Sequence, residues 1–468
     1  MKPILSQLGE LAGGPVPETV RAGIPSRIVD IVGIAVRASS MDTSRAVAGF
    51  AAEQGSAAQA SAIGGGQTMA ATEAAFVNGV LAHSLDYDDT HLPSILHPSA
   101  SVVPASLAVA EWQEAPGKAL MDAVAVGLEI TVRLGLGGYD RRARQSVYFE
   151  RGQHATSICG AVGSAAAAAR LLGADADAIA HAMAIACSMS SGIIEANRAG
   201  GTVKRLHCGW AARAGVTAAQ LAARGITGPP TAVEGRFGLF QAFLGDQADI
   251  EAVTADLRER WEAENIFYKP YPANHFTHTG IDAAIAMRST GVGPDDIATA
   301  TLEVAPPTVR TIGEPIEAKR KPETGYQAQF SGPYAVAAGL LGGEGLGVGL
   351  ADFTDELACD PRRRELMARV VVVGDPRLMD IYPCQLPARL TVTTTSGHTL
   401  VEERLANRGG PDQPLSDSEL AAKFADNTAG LVADGVARRT YDALSGLAAA
   451  PSVAGLLTPM VDPIGKQP

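Results

Sequence analysis

Small residues recur at helical spacing as far as about residue 265, and this constrains the chain more than any other feature. The runs "GSAAAAAR" and "WAARAGVTAAQLAARG" are dominated by Ala and Gly. Helices lined by such residues can bring their backbones close together. Aromatic residues make up only 5% of the chain, so the interior must be filled by many small contacts instead of a few large rings. The expectation is a body of closely packed helices.

Apolar periodicity supplies the individual elements. "SRIVDIVGIAVRA" repeats at three and four residues, with Ser26 placed to cap its start. "ATEAAFVNGVLAHSLDY" and "SASVVPASLAVAEW" bracket a polar link, "DDTHLPSILHP". In "KALMDAVAVGLEITVRLGLG", Glu129 and Arg133 are spaced to pair on one helix face. Gly225 offers a C-terminal stop, and "GGGQT" at Gly64–Thr68 reads as a tight turn between helices.

After "KPYPANHFTH" the character changes. "TATLEVAP", "ARVVVVGD" and "ARLTVTTTSGHTLVEERL" carry β-branched residues in strand-length runs, the last turning at Ser396-Gly397. A helical stretch, "PYAVAAGLLGG", lies among them. Ser416 and Glu419 then form a capping box that opens a helical tail. The fold class is mainly α: residues 1–268 form an all-helical domain, 269–408 a smaller α+β domain, and 409–468 helices that return to the first.

Charge and cysteine usage narrow the function. Lys and Arg number 38 against 50 Asp and Glu, a net charge of −12, which excludes a nucleic-acid scaffold. No apolar stretch is long enough to span a membrane. The five cysteines are scattered without C-x-x-C spacing. That argues against disulfides, zinc and iron–sulfur sites, and a cytoplasmic chain is expected. Nucleotide-binding, zinc-protease and nucleophile-elbow motifs are absent. No metal and no cofactor are therefore expected.

What remains is chemistry by Asp, Thr, His and Lys. Eight of the nine histidines precede residue 280. The densest segment, "AHSLDYDDTHLPSILHPSA", carries Asp86, Asp88, Asp89, Thr90, His91 and His97; it reads as a substrate loop or as turns capped by Asp. His154 stands just before Thr156 and Ser157, either of which can cap the next helix. Lys204, Arg205 and His207 put three potential cations into "KRLH". They form either an anion site or a solvated face. Lys269 opens "KPYPANHFTH" at the domain junction, and His275 and His278 follow it three residues apart.

Together, "HSLDYDDTH", "TSICGAVGSAAAAARLLG", "KRLHCGWAARAG" and "KPYPANHFTH" resemble the MmgE/PrpD family, in order and over nearly the whole chain. The family includes 2-methylcitrate dehydratase, cis-aconitate decarboxylase and iminodisuccinate epimerase. The resemblance implies a helical domain with an α+β lid, an active site in the cleft between them, no cofactor, and a homodimer. It assigns catalytic roles to Asp86, His97, His154, Lys204 and Lys269 and substrate binding to Thr90; Arg205, and His275 where the chain departs from the family's pattern after the lysine, are expected to help bind the substrate.

The lysines, helped by Arg205, would clamp the carboxylates of a small polycarboxylate. One histidine, His97 or His154, would move the proton. A decarboxylase tyrosine has no match near "PPTVRTIGEP", which favours dehydration of a 2-methylcitrate-type substrate. Epimerisation of an imino- or amino-dicarboxylate, decarboxylation of the cis-aconitate type, and non-catalytic anion binding are the alternatives.

Overall fold

The computed structural model describes residues 2–55 and 57–462. The chain is mainly α, with one four-stranded sheet among shorter ladders. It divides into two compact units. The first runs to Ile266 and resumes at Phe424; the second is Phe267–Lys423. The sequence placed the return of the chain at residue 409. In the structure, residues beyond that point still bond within the second unit: Arg408 pairs with Glu419, and Lys423 Nζ donates to Lys269 O at 2.8 Å.

In the first unit, the helix Ala155–Leu171 is buried for nearly its whole length. The helices Ser99–Trp112, Gly117–Leu136, Ala176–Met189 and Leu206–Ala222 pack around it, and Ala71–His83 packs on Ser99–Trp112 and Leu206–Ala222. Small residues set the spacing. A Cβ on Gly209 would stand 2.4 Å from Phe76 O, and one on Gly79 would stand 2.8 Å from Gly209 Cα. The helices Ala71–His83 and Leu206–Ala222 thus cross glycine on glycine. This contact draws the end of one helix towards the start of the other.

Several local expectations need correction. The first long helix spans Ile24–Ala38, and Pro25 sits in its opening turn. Ser26 is therefore inside the helix, donating to Gly23 O at 2.9 Å, and is not its cap. Residues 64–67 do form a turn, but one that joins two short antiparallel strands, in which Ser61 pairs with Thr68, and not two helices. Glu129 and Arg133 do pair, and both are buried. The Arg133 guanidinium also binds the carbonyls of Val253, Ala255 and Arg260, fastening a loop to the helix.

The second unit is built on a sheet ordered Thr399–Arg404, Ala388–Thr394, Ile297–Val304 and Val370–Gly374. The first two pairings are antiparallel and the last is parallel. Alternate residues Ala388, Leu390 and Val392 are buried, as a half-covered strand requires. They join Ile281, Ala284 and Val336 from the helices His278–Ser289 and Gly332–Leu341 in one core. The hairpin turns at Gly397, whose φ of +86° suits glycine. Ser416 and Glu419 form the expected capping box, with Ser416 N donating to Glu419 Oε2 at 2.7 Å.

Candidate active site

The first unit gathers four histidines from separate segments. His83 ends the helix Ala71–His83, and His97 closes the loop that follows. His154 precedes the helix Ala155–Leu171, and His207 lies in the first turn of Leu206–Ala222. The His83 ring lies 5.4 Å from those of both His97 and His154, and His154 lies 5.0 Å from His207.

Hydrogen bonds fix these rings. His83 Nδ1 meets Asp88 Oδ2 at 2.7 Å, with both side chains almost fully buried. His97 Nδ1 is 2.8 Å from the carbonyl of Asp89, so it donates there and leaves Nε2 as the acceptor of the neutral ring. Thr90 Oγ1 lies 3.3 Å from the same nitrogen. His154 Nδ1 and His207 Nδ1 face each other at 3.0 Å. One proton serves that contact, so at least one of the two rings is neutral.

The loop is held from behind. The Asp89 carboxylate accepts from Arg27 at 3.2 Å and from Ser99 N at 3.2 Å. Burial pushes its pKa up to about 6, against the pull of Arg27. Thr156 and Ser157 lie inside the helix they were expected to cap. Thr156 Oγ1 instead accepts from His97 N at 3.2 Å, and Ser157 Oγ donates to His207 O at 3.0 Å. Both hydroxyls therefore tie the other histidine segments to the central helix.

Electrostatics separate the rings into two kinds. Burial alone would lower the His83 pKa, but the Asp88 carboxylate and Cys208 together outweigh it and hold the imidazolium up to about 10. Burial pushes His154 well below the usual histidine range, helped by the charges of His83 and Lys204. The same causes bring His207 down to about 4. The result is a buried cation beside neutral imidazoles.

The expected residues are distributed as follows. Thr90, His97 and His154 belong to this cluster, and Lys204 is near enough to act on His154 and His207. Asp86 is buried in the adjoining loop at a φ of 51°. Arg205 donates to Thr43 Oγ1 at 3.2 Å, on the helix Asp42–Glu53. Lys269 and His275 belong to the second unit. There Lys269 is buried and His275 stacks on His278 at 4.5 Å.

Sequence reading passed over His83 and Asp88 as partners and did not assign His207 to the site. Their separation of five residues matches no simple helical pairing. The turn after His83 brings Asp88 back beneath it. His91, in the same loop, turns aside to Ser94 Oγ at 2.7 Å. Among the described residues, no group of three or more His, Cys, Asp or Glu is arranged to hold a metal ion. No helix among them is long and apolar enough to cross a membrane.

A helical body enclosing one charged and two neutral imidazoles is equipped for proton transfer. The comparisons agree in class. The MmgE/PrpD N-terminal domain matches residues 9–251 and the MmgE/PrpD C-terminal domain matches residues 271–446. The chain belongs to the MmgE/PrpD family. It is 32% identical to the cis-aconitate decarboxylase of Mus musculus over 374 residues, which cover 76% of this chain and 71% of that one. Against the Homo sapiens protein of that name it is 32% identical over 368 residues, covering 76% and 72%. The cis-aconitate decarboxylase of Aspergillus terreus is 25% identical over 383 residues, covering 77% and 75%.

Proposed function

We propose that the protein is a cofactor-independent lyase of small polycarboxylates, acting on a carbon next to a carboxylate. The observation that carries this is a neutral His154 beside a buried cation and a lysine. A neutral imidazole takes a proton, and fixed positive charge nearby favours the carbanion formed when that proton leaves. Dehydration of a hydroxy polycarboxylate of the 2-methylcitrate type uses both features. Lys204 and Lys269 anchor carboxylates, with Arg205 and His275 as further binding groups, and Thr90 orients the substrate.

In that reaction His154 removes the proton α to a carboxylate, and the electron pair forms the new C=C bond. The hydroxyl departs as water after receiving a proton from Asp86 in its acid form, or from His97 when that ring enters the step as the imidazolium, protonated at Nε2 as well as Nδ1. The His97 ring can do this without turning, because Nδ1 stays on the Asp89 carbonyl. Decarboxylation is the second reading, favoured by relatives named cis-aconitate decarboxylases. There the carbon–carbon bond to a carboxylate breaks, CO₂ leaves with its carbon, and the electron pair left behind accepts a proton.

A substrate panel tests both readings. Purified protein without added metal or cofactor is given hydroxy and unsaturated tricarboxylates, and proton NMR follows loss of substrate. A new C=C without CO₂, seen as ultraviolet absorbance and as vinyl, allylic methyl or allylic methylene proton signals, supports dehydration, and CO₂ release supports decarboxylation. No turnover of any member of the panel would overturn the lyase reading.

A further inference from the structure

Asp88 and His83 form a deeply buried ionic pair at the site, to which the chemistry above gives positive charge but no proton to move. Their side chains are 0% and 1% exposed, and 2.7 Å separates Oδ2 from Nδ1. Such a pair gives little net stability, because removing two charges from water costs about as much as their attraction returns. Its placement is more informative. His83 lies in the last turn of its helix, where exposed carbonyl ends favour a cation. It stands 5.4 Å from the rings of both His97 and His154.

We propose that Asp88 and His83 are a charge-setting pair of positioning residues: the carboxylate fixes the His83 ring as an imidazolium, and that fixed cation keeps His154 the proton acceptor of the cluster. This rests on the reading of the cluster as the acid–base site.

The groups acting on His83 are Asp88 and Cys208; His97 and His154 lie beside it. Those acting on His154 are His83, Lys204, His207 and His97. The charge of His83 is tied to a buried carboxylate at hydrogen-bond distance. Replacing that carboxylate by an amide preserves the shape and an acceptor oxygen for Nδ1, but removes the charge.

The test is a pH titration of the full chain with ¹⁵N-labelled histidine, read by NMR of the ring nitrogens without substrate. His83→Gln and His154→Gln variants assign the two signals. In the natural protein, His83 should keep both ring nitrogens protonated to about pH 8 while His154 stays neutral at pH 6. In Asp88→Asn, His83 should be neutral at pH 7 and His154 should titrate at least one pH unit higher. The acid limb of kcat should move by the same amount, with kcat down about 10-fold or more and KM altered less. Asp88→Glu should restore the charged His83.

A neutral His83 at pH 7 in the natural protein, or an unmoved His154 titration in a folded Asp88→Asn, would overturn the proposal. Because the NMR arm needs no turnover, the two readings fail separately. A neutral His83 in an active lyase removes only the pair. A charged His83 that governs His154 in a chain with no polycarboxylate activity upholds the pair and removes the lyase reading.

Discussion

Single side chains at the site make sharply different predictions. His154 is buried and neutral, so its loss removes a proton acceptor. A His154→Gln variant should lose on the order of 10²-fold or more in kcat with KM little changed. Lys204 acts by charge from a half-buried position. A Lys204→Ala variant should raise KM as well as lower kcat, because it is assigned to hold a ground-state carboxylate. Steady-state kinetics on the same substrate separates the two patterns. Among the residues, His97, His154 and Lys204 were legible because each stands in a polar motif near a helix start. His83 was not: it closes an apolar helix, and its partner becomes visible only once the chain turns back.

At the scale of elements, helix crossings position the site. Sequence periodicity was enough to find the helices, since runs such as "ATEAAFVNGVLAH" repeat without a proline break. It could not show which helices touch. That depends on pairs such as Gly79 and Gly209, whose missing side chains matter only when they face each other. The same limit applies to Thr156 and Ser157, which looked like caps and instead bond to distant segments. The crossing can be tested. A Cβ on Gly209 would meet Phe76 O at 2.4 Å and Val80 Cγ2 at 2.5 Å. Gly209→Ala should therefore destabilise the chain by about 1–3 kcal/mol, the usual cost of overpacking. It should also lower kcat, because His207 lies two residues away on the displaced helix. Urea unfolding and kinetics on the same preparation check both effects.

Across the whole molecule, an acidic chain of net charge −12 sets positive charge, from His83 and Lys204, beside its cluster of histidines. The buried charges also make stability depend on pH in opposite directions. The folded pKa of His83, about 10, is above its unfolded value of about 6.5. Its contribution is therefore complete below about pH 6.5 and is lost as pH rises through about 10. His207 is depressed to about 4, so its contribution is present above about pH 6.5 and is lost as pH falls towards 4. The stability gap between the natural protein and His83→Gln should consequently shrink between pH 7 and pH 10, by urea unfolding at each pH.

The assignment of His154 as the group that accepts the substrate's proton is tested most directly by one comparison. Turnover of whichever polycarboxylate the protein consumes is measured for the natural chain and for folded His154→Gln at pH 7. A fall of about 100-fold or more in kcat is expected; an unchanged kcat would contradict the assignment.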